Sequence, residues 1–212
     1  MEMTVLGRLP HTYDSRIRQF LARVCADAPL HARFLNTLSL LEHIGSRKIA
    51  ISHARTEAAL ASDTLKHLAE ETRHAYFFKR AAEGIAQRKL TFGANDLLAG
   101  NHARLYMGRL EAFVARTVRP PLVYPYVTMI VELRALEVYK IYQDVLKAAG
   151  HALNLKGVLA EEDNHLREIG GGLVLLGESL EASLPPLTAF ENAKFRNLLE
   201  GLEQSAYHAP QM

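Results

Sequence analysis

Cysteine is almost absent from this chain. Cys25 is the single cysteine among 212 residues. One thiol cannot build a disulfide framework within the chain, and it cannot supply a four-cysteine zinc ribbon or an iron–sulfur cluster. Such cysteine usage is typical of a reducing compartment, and a chain of this length can bury a substantial core without cross-links.

Long apolar runs and segregated charge are missing as well. The first thirty residues contain no apolar stretch that resembles a signal peptide, and nowhere do eighteen apolar residues follow one another. Lys and Arg number 25 against 23 Asp and Glu, and the basic residues are scattered along the chain. We therefore expect a soluble, cytoplasmic protein with no membrane contact and no nucleic-acid partner.

The composition favours helices throughout. Ala and Leu are abundant, whereas Val, Ile and the aromatic residues neither cluster nor alternate. We predict an all-α fold in a single domain, residues 1–212, with residues 1–14 irregular. Apolar periodicity predicts helices over residues 17–24, 32–53, 57–84, 97–118, 121–149, 151–170 and 187–202.

Proline and glycine define the expected helix ends. We expect Pro29 to interrupt the chain before the first long helix, Gly84 to end the second, and Pro185 with Pro186 to start the last one. The run Gly170-Gly171-Gly172 is either a break or a small-residue contact inside a helix that resumes to Leu180.

A short motif occurs twice in the chain. Glu-Glu-Thr-Arg-His at residues 70–74 returns as Glu-Glu-Asp-Asn-His at residues 161–165. On a helix, positions i and i+3 lie on one face. Glu71 can therefore present an oxygen beside a nitrogen of His74, and Glu162 can do the same with His165.

Two further acids lie inside the other long helices. Glu42 and Glu132 each sit on a stripe of apolar or small residues, at matching distances from the two motifs. Carboxylates are rarely buried unless they are paired or bind a cation. Four acids and two histidines in this register suit two divalent ions, because four carboxylates balance the charge and one neutral imidazole serves each ion.

With these six residues the chain resembles the ferritin-like di-iron carboxylate superfamily, over about residues 33–178. The resemblance implies a four-helix bundle with a helical crossover, here residues 85–120, and extra helices at both termini. It also implies two iron ions, with manganese or a mixed pair as alternatives that the same donors accept. The implied ligands are Glu42, Glu71, His74, Glu132, Glu162 and His165.

The resemblance implies a non-haem oxidase or oxygenase that activates O₂ and acts on a small organic substrate. The chain has no Gly-x-Gly-x-x-Gly motif for flavin or NAD, so an external donor such as a ferredoxin or reductase would supply electrons. The added helices suit a substrate pocket or a homodimer interface. Two alternatives stay open: a ferroxidase, iron-handling or peroxide-consuming protein, and a metal-free helical interaction module.

His67 and Tyr139 are the remaining candidates. His67 lies one turn before Glu71 on the same face, and the second motif has Val158 in that place. It is either a seventh ligand or a core histidine that hydrogen-bonds near the ligands, with Asp63 as its partner. Tyr139 is a candidate redox or proton-donating phenol or a buried structural tyrosine. Residues that adjoin the ligands, and that could orient them or be solvated, are Glu70, Arg73, Glu161 and Asp163.

Overall fold

The computed structural model describes residues 12–54 and 62–207, and every regular element within these ranges is helical. The prediction of an all-α fold is therefore confirmed. Two elements are single turns of 3₁₀ helix, at Ala94–Asp96 and Pro120–Leu122. The longer ones are α1 (Asp14–Cys25), α2 (Ala28–Ala54), α3 (Ser62–Ala86), α4 (Gly100–Thr117), α5 (Val123–Ala148), α6 (Lys156–Leu175) and α7 (Leu180–Tyr207).

The described chain divides into two compact units. The first, here the α2–α3 unit, comprises residues 19–54, 62–107 and 198–207, and within it α2 packs along α3. The second, the α5–α6 unit, comprises residues 12–18 and 108–197, and within it α5 packs against α6. Each unit is therefore built around one pair of long helices.

Helix α2 begins four residues earlier than the periodicity predicts. The carboxylate of Asp27 accepts a hydrogen bond of 3.0 Å from the Leu30 N–H and so caps the helix. The predicted interruption before the first long helix is present, at residues 26 and 27, and Pro29 follows it as the second residue of α2. The helix tolerates this proline because a proline in the first turn gives up only an N–H that has no partner within the helix.

The end of α3 also differs slightly from the prediction. The helix runs two residues beyond Gly84, to Ala86, and ends where Gln87 adopts a left-handed φ of 52°. The side chain of Gln87 donates a hydrogen bond back to the Gly84 carbonyl. The predicted start of this helix, at Glu57, lies outside the described residues.

The segment between α3 and α4 is fixed to α2 by side chains. The Asn36 amide donates hydrogen bonds of 2.8 Å to the carbonyls of Thr91 and Asp96. Arg33 donates to the Leu97 carbonyl at 2.8 and 3.2 Å. Helix α4 starts only at Gly100. The backbone before it is not helical, because Leu97 is extended and Ala99 adopts a φ of 54°.

Helix α6 runs without a break through the three glycines. It continues to Leu175, so residues 170–172 form part of the helix, which ends earlier than Leu180. It ends where Gly177 adopts a φ of 83° and the Glu178 N–H donates to the Leu173 carbonyl at 3.1 Å. This is the bonding pattern that a C-terminal glycine commonly makes.

Helix α7 contains the two prolines that the sequence suggested as its start. It begins at Leu180, so Pro185 and Pro186 lie inside it and that prediction was wrong. Leu180, Leu184 and Leu187 recur at helical spacing and are all buried. Burial of this stripe stabilises the helical turn before the prolines and offsets the two backbone hydrogen bonds that they cannot donate.

Within the described ranges, no α-helix combines the length and the apolar character needed to cross a lipid bilayer.

Candidate metal centre

One cluster of acids and histidines lies in the α2–α3 unit. Glu71 and His74 are one turn apart on α3, with the Oε1 of the acid 3.7 Å from Nδ1 of the histidine. Glu42 joins them from α2, and donor atoms of these three side chains all lie within 4.8 Å of one another. The helical spacing thus places the side chains together as predicted.

His67 belongs to the same cluster. Its Nε2 lies 3.7 Å from the Oε1 atom of Glu71 that also faces His74. Asp63, which the sequence suggested as its partner, is exposed, whereas His67 is buried. One carboxylate oxygen therefore faces two imidazoles. We call this group the α3 cluster: Glu42, His67, Glu71 and His74.

The second cluster lies in the α5–α6 unit. His165 Nδ1 is 3.7 Å from a carboxylate oxygen of Glu162, the residue one turn before it on α6. The same nitrogen is 3.5 Å from Oε1 of Glu132, which projects from α5. Glu132, Glu162 and His165 form the α6 cluster, and its Glu162–His165 separation equals that of Glu71 and His74.

All seven side chains are deeply buried. Their residues are between 1% and 7% exposed. An ionised carboxylate is strongly disfavoured at such a depth unless an electropositive group lies close to it. A bound cation would be one such group.

The donor atoms suit such a cation. The histidine–acid separations of 3.5 to 3.7 Å exceed the N–H···O hydrogen-bond range of about 2.7–3.2 Å. An ion bound at about 2.1 Å to two donors separates those donors by roughly 3.0–3.4 Å, so small side-chain movements would complete the coordination. Carboxylate oxygen and imidazole nitrogen are donors that divalent transition metals accept, and these buried groups could hold a metal ion.

Two small residues of α2 set how closely it approaches α3. The Ser39 hydroxyl donates a buried hydrogen bond of 2.7 Å to the carbonyl of Ala75, which follows His74. A Cβ atom added at Gly45 would lie 3.0 Å from Oε2 of Glu71. The sequence shows both residues on the face of Glu42, but periodicity alone assigns them no role.

A buried ion-pair group lies beside the α6 cluster in sequence. Arg134 is two residues after Glu132, and its guanidinium donates to both carboxylate oxygens of Glu191 on α7, at 2.9 and 2.7 Å. It also donates to Glu137 and lies 4.1 Å from the centre of the Phe195 ring. Burial raises the pKa of Glu137 above its ordinary value despite this arginine. Sequence periodicity does not reveal this pairing, because Glu191 is distant along the chain.

The other predicted candidates are less closely tied to the clusters. Tyr139 is buried on α5, and its redox role stays a prediction. Asp163 is half-buried and pairs with Arg167 at 2.6 Å, which is an ion pair along the surface of α6. Glu70 and Glu161 are half-buried, and Arg73 is exposed.

A scan against protein-family models and searches of the curated proteins and of the solved structures found no match for this chain. What the structure shows is a helical protein with buried groups of histidine and glutamate that could bind metal.

Proposed function

We propose that the α3 and α6 clusters together hold two divalent metal ions, most simply iron, in a ferritin-like helical protein that activates O₂ to oxidise a small organic substrate. The observation that carries this proposal is the matched pair of buried clusters. Glu71 with His74, and Glu162 with His165, have the same atomic separation of 3.7 Å, and each pair is joined by one acid from the neighbouring helix.

Charge balance supports a pair of ions. Glu42, Glu71, Glu132 and Glu162 would bring four negative charges, and two divalent ions bring four positive charges. The histidines can then stay neutral, which is the form that ligates a metal.

The protein would hold the ligands on rigid helices and keep water away from them. Phe78 on α3 and Met129 on α5 are fully buried on the stripes that carry the ligands, and Leu166 adjoins His165. When bound, the ions would supply O₂ binding and electron exchange. The electrons would come from an external reductase or ferredoxin, as the resemblance implies.

The test is metal analysis together with the optical spectrum of protein that has been loaded with Fe(II) under nitrogen and then exposed to air. We expect two ions per chain and new visible or near-ultraviolet absorption after air is admitted. Glu71→Ala should lose both, whereas Glu168→Ala, which removes an exposed acid of α6, should keep both. Wild-type protein that binds no metal would support a helical interaction module instead.

Gel filtration separates an oxygenase from an iron-storage protein. A monomer or dimer with two bound ions agrees with our proposal. A cage-sized particle that accumulates iron far beyond two ions per chain would contradict it and would support iron handling. Substrate oxidation can then be followed as O₂ consumption that depends on both an added electron donor and an added organic compound.

A further inference from the structure

Gly45 is a glycine in the middle of a long helix. Helix α2 spans Ala28–Ala54, and Gly45 lies three residues after Glu42, on the same face. Glycine in a helix interior is destabilising relative to alanine, because the unfolded chain loses more conformational freedom on folding. Its place in α2 therefore calls for a local reason.

The neighbour of Gly45 is the carboxylate of Glu71. Among the described residues, Oε2 of Glu71 is the atom that an added Cβ would meet within 4 Å, at 3.0 Å. The other oxygen, Oε1, faces His67 and His74 at 3.7 Å each. The carboxylate is thus held between the backbone of α2 on one side and two imidazoles on the other.

We propose that Gly45 is a positioning residue, which leaves the room that Glu71 needs to hold both of its oxygens in the ligating orientation. This inference rests on the proposed metal site. A methyl group at position 45 would leave the α2 backbone intact and would act on the cluster through the Glu71 carboxylate alone.

The methyl group should act differently on the metal-free and the metal-bound protein. Without metal, the carboxylate is the end of a flexible side chain, and a small rotation relieves a 3.0 Å contact. With metal bound, the carboxylate would be fixed by the metal that it ligates and could not rotate, so the contact would persist. The substitution should therefore weaken metal binding without destabilising the metal-free fold.

The other unit provides a natural comparison. The residue three positions after Glu132 is Ala135, which is half-buried on α5. A methyl group is thus present at the equivalent place in the α5–α6 unit. The requirement for glycine belongs to the surroundings of Glu71 and is not general to a helix that carries such an acid.

The experiment compares Gly45→Ala with Gly84→Ala, a substitution in α3 where no atom of the described residues lies within 4 Å of an added Cβ. Co(II) is the probe, because its visible spectrum reports the number and type of ligands. We expect Gly45→Ala to bind Co(II) roughly five- to hundredfold more weakly and to change the spectrum. The Tm of the metal-free variant should equal or exceed that of the wild type, and Gly84→Ala should keep wild-type affinity and spectrum.

A double variant identifies the route of the effect. In Glu71→Asp the carboxylate is one methylene shorter, so adding Gly45→Ala to it should cost little or no further Co(II) affinity. Wild-type affinity and spectrum in Gly45→Ala would overturn the inference, and so would a fall in the metal-free Tm that accounts for the lost binding. Failure of the wild type to bind Co(II) or Fe(II) would instead overturn the proposed metal site itself.

Discussion

The two units carry the same three candidate ligand positions in different surroundings. In the α2–α3 unit, Glu71 Oε1 faces two histidines, and the α2 backbone approaches Oε2 at a glycine. In the α5–α6 unit, Val158 takes the place of the extra histidine, and Ala135 takes the place of the glycine. The three positions that repeat would supply the ligands that each of two ions needs. The two positions that differ would make the two metal positions unequal.

The charged groups outside the clusters also differ. In the α5–α6 unit, the Arg134–Glu191 pair is buried between α5 and α7. In the α2–α3 unit, the comparable charge is Asp96 in the segment before α4, where Arg88 binds its carboxylate at 2.6 Å. In the Arg134–Glu191 pair both side chains are buried, which is not true of the Arg88–Asp96 pair. The two units should therefore respond differently to loss of an ion pair and to acid.

The largest effect should come from removing one acid of each repeated motif. Glu71→Ala and Glu162→Ala each delete a buried carboxylate, proposed as a ligand, that is 3.7 Å from its histidine. Each should weaken Fe(II) or Co(II) binding by more than about a hundredfold, since loss of supporting residues alone typically costs 10- to 100-fold. Titration calorimetry checks this, and near-wild-type binding in either variant would show that its cluster holds no metal.

The next largest effect concerns stability of the α5–α6 unit. Arg134→Met leaves the fully buried Glu191 without its bidentate partner and should lower the free energy of unfolding by about 3–5 kcal/mol. The matched control is Arg18→Met, which breaks an exposed pair with Asp144 at 3.5 Å and should cost less than about 1 kcal/mol. Urea denaturation of metal-free protein measures both, and equal costs would contradict this account.

A smaller effect should follow from exchanging the residues that distinguish the clusters. His67→Val gives the α3 cluster the side chain that the other motif carries. If His67 supports or ligates an ion, this variant should weaken one of two metal-binding steps about 10- to 100-fold. Val158→His is the reverse exchange, and it should change the relative affinities of the two steps. If the two metal-binding steps had the same affinity in the wild type and in both variants, the two units would not differ in metal binding.

The smallest effect is a difference in pH dependence. Arg88 and the Thr91 N–H lower the pKa of Asp96 to about 2 from 3.8, so its contribution to stability is present above pH 3.8 and is lost as the pH falls towards 2. Burial raises the pKa of Glu137 from 4.5, so its contribution is full below pH 4.5 and is lost as the pH rises through the folded-state pKa.

Two variants test these opposite signs. Asp96→Asn should lose stability relative to wild type as the pH rises from 2, whereas Glu137→Gln should gain stability relative to wild type as the pH rises from 4.5. The free energies of unfolding come from urea titrations at several pH values. If the stability of each variant changed with pH in parallel with that of the wild type, neither environment would shift the pKa of its carboxyl group as the structure indicates.

The sequence predicted the helices, and it placed Glu71 beside His74 and Glu162 beside His165, because both depend on short-range periodicity. Glu71 and His74 lie on one face through the geometry of the helix alone, and the structure brings Glu42 to them. The periodicity of the sequence cannot predict a contact between different helices. The approach of Gly45 to Glu71 and the pairing of Arg134 with Glu191 join residues that are distant in the chain.

Helix boundaries near proline were predicted only in part. The break before Pro29 is present, with Pro29 in the first turn of α2, whereas Pro185 and Pro186 were predicted to start a helix and lie inside α7. At Pro29 the cap from Asp27 starts the helix before the proline. At Pro185 the buried Leu180 and Leu184 stabilise a turn that propensity alone disfavours. Burial in the tertiary structure stabilises the helix around Pro185, and no local sequence pattern predicts that burial.

The connection from α3 to α4 should resist proteases although most of it is not helical. A protease must draw several residues into an extended strand before it can cut them. Here the carbonyls of Thr91, Asp96 and Leu97 are bonded to side chains of α2, and those bonds would have to break first. Cleavage between Thr91 and Leu97 should therefore follow only after this stretch has separated from α2.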